Sequence, residues 1–356
     1  MERWIGASAL RQAATLAAAV MAVLLMGGIG PRAAGADTFA PQNDDWKGNK
    51  LDLTKWRFTV WGDAQLSEHS AEIKDGALHI IAGGSDIWGD NDNGVFLWQP
   101  ANGDFQATLE IRSVKMIGST TPVGIMVRPS TDLHAPEVMV KAVPIGTHLQ
   151  HRLEVGGDTG PGTSSSGSLP WGDGSGNGPT IMLRLTRTGK TFVARRSDDG
   201  GKTWGTLHDA DNADKDMVDL DLPDDVLVGI ATCAVFDPTQ ADKPTTEAIV
   251  GPFTFTQVAA RPTTNGLIAV TAVDSKMVPV TDAVLIVKDM TGKVVGTTMN
   301  DKTDPATSDT GSFFLPPGMY TVETGETSKF AASVPTPFEI KTAQTQDLLV
   351  PVGKAK

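Results

Sequence analysis

The stretch Phe105-Gln-Ala-Thr-Leu-Glu-Ile-Arg-Ser-Val114 decides the fold class. Apolar Phe105, Ala107, Leu109 and Ile111 alternate with Gln106, Thr108, Glu110 and Arg112. Successive strand side chains point to opposite faces, so this period of two marks a half-buried strand. Working outward, similar apolar or alternating runs recur at Ala77–Ala82, Gly94–Trp98, Val123–Arg128, Glu137–Val143, His148–Val155, Thr180–Leu185, Thr191–Ser197 and Leu227–Val235. Turn formers punctuate them, as in Asp90-Asn-Asp-Asn-Gly94 and Asn102-Gly-Asp104. Helical periodicity is almost absent. The 38 Gly and 22 Pro among 356 residues exceed their ordinary share, which suits many short strands joined by turns. The pattern predicts an all-β sandwich.

At the N-terminus, residues 1–36 have the form of a secretory signal peptide: Arg3 and Arg11, an uncharged Ala/Leu/Val/Met run over Ala13–Gly30, then Ala34-Gly35-Ala36 as the small-residue cleavage site. Such a leader predicts a secreted or periplasmic protein with no membrane attachment after cleavage, because no other apolar run approaches the ~18 residues that span a bilayer. The formal net charge is −12, which argues against nucleic acid or anionic lipid as partner. The single cysteine, Cys233, lies in the apolar run Val228–Phe236, so it reads as a buried strand residue and rules out an internal disulfide.

Residues 37–258 form one predicted sandwich domain. Gly156–Gly178 is a long Gly/Ser/Asp/Pro insertion with Trp171 near its centre. The composition shifts at residues 259–265, Ala-Ala-Arg-Pro-Thr-Thr-Asn, which read as a linker. Seven short runs then follow within 266–352, from Leu267–Val273 to Asp347–Val352, the density of a small Ig-like sandwich.

Several motifs in the first domain carry a family resemblance. They are Leu51-Asp-Leu-Thr-Lys-Trp56, Gly84-Ser-Asp-Ile-Trp-Gly89, Trp98-Gln-Pro-Ala-Asn-Gly-Asp104, Val123-Gly-Ile-Met-Val-Arg-Pro-Ser130, Met182-Leu-Arg-Leu-Thr-Arg187 and Ser197-Asp-Asp-Gly-Gly-Lys-Thr-Trp204. In order and spacing they resemble the bacterial concanavalin A-like lectin/glucanase jelly-roll sandwiches, in particular the accessory type related to the β-xylosidase C-terminal domain. The last of them also fits the Asp-box, S-x-D-x-G-x-T-W. Its residues Ser197, Asp199, Gly201 and Trp204 read as a structural turn: side-chain oxygens accept backbone N–H bonds, glycine supplies positive φ, and the indole packs beneath. In the second domain, Val280-Thr-Asp-Ala-Val-Leu-Ile-Val287, Asp309-Thr-Gly-Ser-Phe313 and Leu315-Pro-Pro-Gly-Met-Tyr-Thr-Val322 resemble the carboxypeptidase regulatory-like (transthyretin-like) sandwich. Such modules act as spacers or contact surfaces.

The search for chemistry returns more exclusions than sites. Glucanases of the resembled fold carry E-x-D-x-E or a close variant on one strand, which brings two carboxylates to one face. No Glu here is followed two places later by Asp. There is no G-x-S-x-G elbow and no H-E-x-x-H pair. Alternation places Glu110, Glu137 and Glu154 with Arg112, Arg128 and Arg152 on outward faces, read as ion-pair ladders on a solvated sheet. Glu110 and Glu137 are the nominees should the protein be a polysaccharide hydrolase or lyase. Indole faces stack on pyranose C–H faces, and Trp61, Trp88 and Trp171 adjoin Gly/Asp loops, so these three are the sugar-platform candidates, with Asp86 and Asp90 as hydroxyl acceptors beside Trp88. Asp86, Asp90, Asp92 and Asn93 offer oxygens of the kind Ca2+ takes, with Asp90 and Asp92 the nearest to a metal pair. The EF-hand spacing fails, since Gly94 falls at the fifth loop position, so the segment reads as a solvated turn without a cofactor. The sequence reading is therefore a secreted, non-catalytic protein that binds an extracellular or cell-wall polysaccharide. A hydrolase or lyase and a ligand-free envelope or adhesion subunit are the alternatives.

Overall fold

A computed structural model of the chain describes residues 39–356 except 40, 42, 145, 158, 165–179, 209–213, 240, 281–282, 299–309 and 328. The leader at 1–36 and Trp171 lie outside the described residues. Sixteen strands make up the first part: β1 (Arg57–Val60), β2 (Ser70–Lys74), β3 (Ala77–Ala82), β4 (Ile87–Trp88), β5 (Asn91–Asp92), β6 (Val95–Asn102), β7 (Asp104–Val114), β8 (Val123–Arg128), β9 (Glu137–Val143), β10 (Gly146–Arg152), β11 (Thr159–Ser164), β12 (Ile181–Thr188), β13 (Thr191–Ser197), β14 (Met217–Asp219), β15 (Asp225–Thr232) and β16 (Thr246–Ala259). Seven more follow: β17 (Gly266–Val273), β18 (Leu285–Asp289), β19 (Val294–Thr297), β20 (Thr310–Leu315), β21 (Gly318–Thr324), β22 (Thr336–Ile340) and β23 (Thr345–Pro351). Among the described residues no helix is long and apolar enough to cross a membrane. The fold is all-β, as the alternation predicts.

Two seven-stranded antiparallel sheets face each other. The front sheet runs β1-β6-β15-β8-β9-β10-β11 and the back sheet β14-β13-β12-β7-β16-β3-β2. The run that opens the sequence reading is β7, and its Phe105, Ala107, Leu109 and Ile111 are fully buried between the sheets. From the front sheet Val138 and Val140 of β9, Ile125 of β8 and Ile230 of β15 join the same core. At roughly 1.5–3 kcal/mol for each large apolar side chain removed from water, this layer supplies most of the drive to fold. Reading runs alone misses β1, β2, β4, β5, β11 and β14 as well as β16, the longest strand, which pairs with both β3 and β7 and shifts register three times along β7.

The front sheet is buried on both faces. Phe96, Trp98, Met126, Met139, Leu227 and Ala231 point away from the main core and form a second apolar cluster with Trp61, Ile87 and Leu133. Leu267 and Ala269 of β17 belong to that cluster too, with Phe314 packed against it. Gly229 of β15 allows strands to approach closely here: a Cβ at that position would lie 1.9 Å from the Leu97 carbonyl oxygen.

β17 belongs to a second, smaller sandwich of two sheets, β20-β17-β23 and β19-β18-β21-β22. Its own core contains Ile268, Val270, Leu285, Val322 and Phe338. Within it β17 and β23 run parallel, an exception among the otherwise antiparallel strand pairs of the described residues. The Tyr320 hydroxyl donates to the Pro316 carbonyl at 2.8 Å, closing the Pro316-Pro317-Gly318 turn. Polar contacts join the two sandwiches. Arg57 donates twice to the Asp347 carboxylate, at 2.7 and 2.8 Å. The Thr131 backbone N–H donates to Ser312 Oγ at 2.8 Å, and its hydroxyl donates to the Thr310 carbonyl at 2.9 Å. The segment 259–265 is held rather than free. Arg261 pairs with Asp224 and Asp104, and Thr263 and Asn265 both donate to Asp225.

Candidate functional site

The site is built where the short hairpin β4–β5 lies on the outward face of the front sheet. Asp92, at the end of β5, turns its carboxylate down onto the sheet. Arg128 Nη1 of β8 donates to its Oδ2 at 2.6 Å, and Arg152 Nη2 of β10 donates to its Oδ1 at 2.7 Å. All three side chains are fully buried. The remaining guanidinium protons are spent on backbone. Arg128 donates to the Ser130 and Asp132 carbonyls, and Arg152 donates to those of Gly89, Leu133 and Ala135. The Arg128 guanidinium also lies 4.3 Å from the Trp61 ring. Burial alone would raise the Asp92 pKa, but Arg152 and Arg128 outweigh it and hold the carboxyl below its usual range. The result is a closed ionic knot that pins the hairpin to the sheet.

Beside the knot, Glu137 and Gln150 face each other from β9 and β10. Gln150 Nε2 donates to Glu137 Oε1 at 2.6 Å and to the Ile87 carbonyl at 3.0 Å. Glu137 Oε2 and Gln150 Oε1 are buried and have no hydrogen-bond partner. Burial first, and the Asp92 charge second, push the Glu137 carboxyl above its ordinary value. Further along the same two strands Lys141 and His148 are directly paired in register. Lys141 is 3% exposed, and its Nζ lies 5.0 Å from the centre of the Trp88 ring. His148 Nε2 is buried without a partner. Burial, then the Lys141 charge, bring the His148 pKa down to about 4, so the ring is neutral at pH 7. Above this pair Trp88 is 38% exposed at the hairpin tip. Burial raises the pKa of the half-buried Asp86 carboxyl against the pull of Lys141.

Several sequence expectations change here. Trp61 is fully buried, stacked on Phe96 with ring centres 5.4 Å apart, and its Nε1–H donates to the Thr131 carbonyl at 2.8 Å. It is core and offers no platform for a sugar. Glu110 and Glu137 sit on opposite sheets, in β7 and β9, so they cannot form one catalytic pair. Glu110 binds Arg112 Nε at 2.7 Å on the back sheet, while Glu137 is sealed under the hairpin. The solvated ladder imagined for Glu137, Arg128 and Arg152 is instead a dry cluster, because the hairpin and β17 cover that face. Glu154 falls beyond the end of β10 and is exposed. Asp90 and Asp92 do not meet as metal ligands. Asp90 is exposed, and both Asp92 oxygens are already engaged by guanidinium groups that would repel a cation. Among the described residues no group of three or more His, Cys, Asp or Glu could hold a metal ion.

Ser197, Asp199, Gly201 and Trp204 form one hydrogen-bonded turn. Asp199 accepts from the Lys202 and Thr203 backbone N–H groups and from the Thr203 hydroxyl, and Trp204 Nε1–H donates to the Gly201 carbonyl at 3.0 Å. The Thr203 hydroxyl, followed by the other donors, holds the Asp199 carboxyl well below its usual range. Gly200 and Gly201 take positive φ, 73° and 84°. The Arg184 guanidinium covers the Trp204 ring at 3.6 Å. A shallow cleft of about 250 Å3 beside this turn is lined by Arg196, Asp199 and Thr203 among others, and by none of the residues around Trp88.

Lys141, His148 and Gln150 were not singled out from the sequence as site residues. The signal that could have found them is the apolar run on neighbouring strands. Leu227 and Ala231 beside Val226, Val228 and Ile230 make β15 apolar on both faces, the mark of a strand covered on both sides. Polar side chains on a face so covered are buried, and therefore informative.

No family model matches this chain, and no curated protein matches it. The chain is similar to several solved structures at low identity. A functionally unknown protein from Saccharomyces cerevisiae is 18% identical, covering 57% of this chain and 97% of its own, with a TM-score of 0.39. The Bacteroides ovatus xyloglucan PUL GH43B is 14% identical, covering 66% of this chain and 42% of its own, with a TM-score of 0.41. Lectin II from Ulex europaeus is 12% identical, covering 61% of this chain and 98% of its own, with a TM-score of 0.36.

Proposed function

We propose that the protein is a non-catalytic carbohydrate-binding protein whose sugar site is the rim around Trp88. The observation that carries this reading is the indole itself: among the described tryptophans Trp46, Trp56, Trp61 and Trp98 are fully buried, Trp204 lies under Arg184, and Trp88 alone is more than a third exposed. An exposed ring with Asp86 beside it supplies the two things a pyranose needs, a face for its C–H groups and acceptors for its hydroxyls. Lectins and glycoside hydrolases among the structures of similar architecture agree with a carbohydrate ligand. Hydrolysis is the weaker reading, because the nominated carboxylates sit on separate sheets. In this reading the leader exports the chain, the ligand is an extracellular or cell-wall glycan, and the C-terminal sandwich serves as a brace or docking module.

A glycan array followed by affinity electrophoresis tests it. Trp88→Ala should weaken binding by about 1–3 kcal/mol, the scale of a lost stacked aromatic, with the melting temperature unchanged. Release of reducing sugar from any bound polysaccharide would replace this reading with the hydrolase one, and failure of the wild type to bind any glycan would end it.

A further inference from the structure

We infer that the sugar bound at Trp88 carries an anionic substituent, a carboxylate or a sulfate ester, for which the Lys141 ammonium is the counter-ion. This rests on the carbohydrate-binding reading and names its ligand class.

The reason lies in how the buried cations are satisfied. Four Lys or Arg side chains are buried among the described residues: Arg128, Lys141, Arg152 and Arg187. Arg128 and Arg152 share Asp92. Arg187 spends its protons on the carbonyls of Gly189, Leu222 and Pro223. Among the described residues Lys141 has no such acceptor, and the one close partner seen there is the Trp88 ring. The Lys141 side chain as a whole is 3% exposed, and a lysine so nearly enclosed rarely goes without an ion pair or hydrogen bond, because lost hydration is costly unless a partner restores it. The nearby carboxylates do not fill the role. Asp86 influences Lys141 electrostatically but makes no ion pair with it, and Glu137 is engaged by Gln150.

The unmet groups cluster. Lys141 and His148 are register partners on adjacent strands, and His148 carries its own buried, unpartnered Nε2. In the Nε2–H tautomer that nitrogen donates to the same anion that pairs with Lys141. Trp88 lies over the ammonium at the tip of a hairpin whose strands are two residues each. Next to it Gly89 has open space where a Cβ would project. A sugar ring stacked on the outer indole face would bring an equatorial carboxylate or sulfate past the ring edge toward Nζ. The net charge of −12 repels polyanions at long range. The fitting ligand is therefore a glycan with isolated anionic groups rather than a dense polyelectrolyte.

The experiment uses the full chain on matched pairs of short oligosaccharides: glucuronate against glucose, galacturonate against galactose, and sulfated against unsulfated galactose, measured by isothermal titration. The wild type should prefer at least one acidic member roughly tenfold or more over its neutral counterpart, the scale of one charge-assisted hydrogen bond. The pair that shows the preference distinguishes carboxylate from sulfate. Lys141→Met, of similar length without charge, should lose the preference for the acidic member, and Lys141→Arg should restore part of it. Equal affinity for acidic and neutral members in the wild type overturns the inference while leaving carbohydrate binding intact. Absence of binding to every member and to the wider glycan array overturns both. The wild-type comparison decides the matter even if Lys141→Met does not fold.

Discussion

Asp92 and Arg152, sixty residues apart in the chain, meet as a fully buried pair joined by two hydrogen bonds, Nη2 to Oδ1 at 2.7 Å and Nη1 to Oδ2 at 3.2 Å. Through it the β4–β5 hairpin that presents Trp88 is anchored to β10, the strand that carries His148. Rigidity at the base of the hairpin is what lets two-residue strands, marginal by themselves, hold an exposed indole in place.

Removing the shared anion should therefore be severe. Asp92→Ala leaves Arg128 and Arg152 buried without their counter-charge, and stability in urea should fall by about 3–5 kcal/mol. A loss below about 1 kcal/mol would show that the knot is not closed. Because the folded Asp92 pKa is lowered, its contribution is present above the unfolded carboxylate value and is lost as pH falls through the folded one.

Glu137 should behave in the opposite sense. Its folded pKa is raised by burial, so the unfolded state ionises first as pH climbs above the ordinary Glu range, and stability drains away in that direction. Glu137→Gln keeps the shape without a titrating group, and its stability relative to wild type should improve as pH rises above the ordinary Glu range, up to the raised folded pKa, in urea titrations from pH 5 to pH 8. A constant difference across that window would mean that Glu137 is ionised in the folded protein.

For His148 the folded pKa of about 4 lies below the ordinary 6.5. Between those values only the unfolded state takes up the proton, so the fold should lose up to about 3 kcal/mol as pH falls from 6.5 to 4, and nothing further from this residue below that. His148→Gln should flatten this part of the pH profile. An imidazole NMR titration midpoint near 6.5 would contradict the burial described for this ring.

The two sandwiches should melt together. Leu267 and Ala269 share a cluster with Trp61, Phe96 and Trp98, and Arg57 reaches across to Asp347. Leu267→Ala should cost about 2–5 kcal/mol and lower the single calorimetric transition of the whole chain. Two transitions, with only the C-terminal one moved by this substitution, would show that the sandwiches fold independently.

Much of this molecule was decided locally. Period-two alternation needs no tertiary information, and it located β7, β8, β9 and β13 to within a residue. The seven runs read in the C-terminal sandwich match its seven strands to within two residues. The Ser197–Trp204 turn is equally local, because its donors and acceptors lie within four residues of one another. The orientation of Glu137, Met139 and Lys141 away from Val138 and Val140 was also legible, since a strand has only two faces.

What covers a face is a different matter. Alternation tells which side chains share a side of a sheet but carries nothing about what will pack on that side. Burial of Glu137, Lys141, Arg128 and Arg152 depends on a hairpin some 35 to 60 residues earlier in the chain and on β17, more than 110 residues later. The same long-range packing turned Trp61 into core and left Trp88, from an equally Gly- and Asp-rich context, in solvent. It also placed Glu110 and Glu137 on different sheets. Desolvation depends on everything that surrounds a group, and only the assembled fold brings those surroundings together.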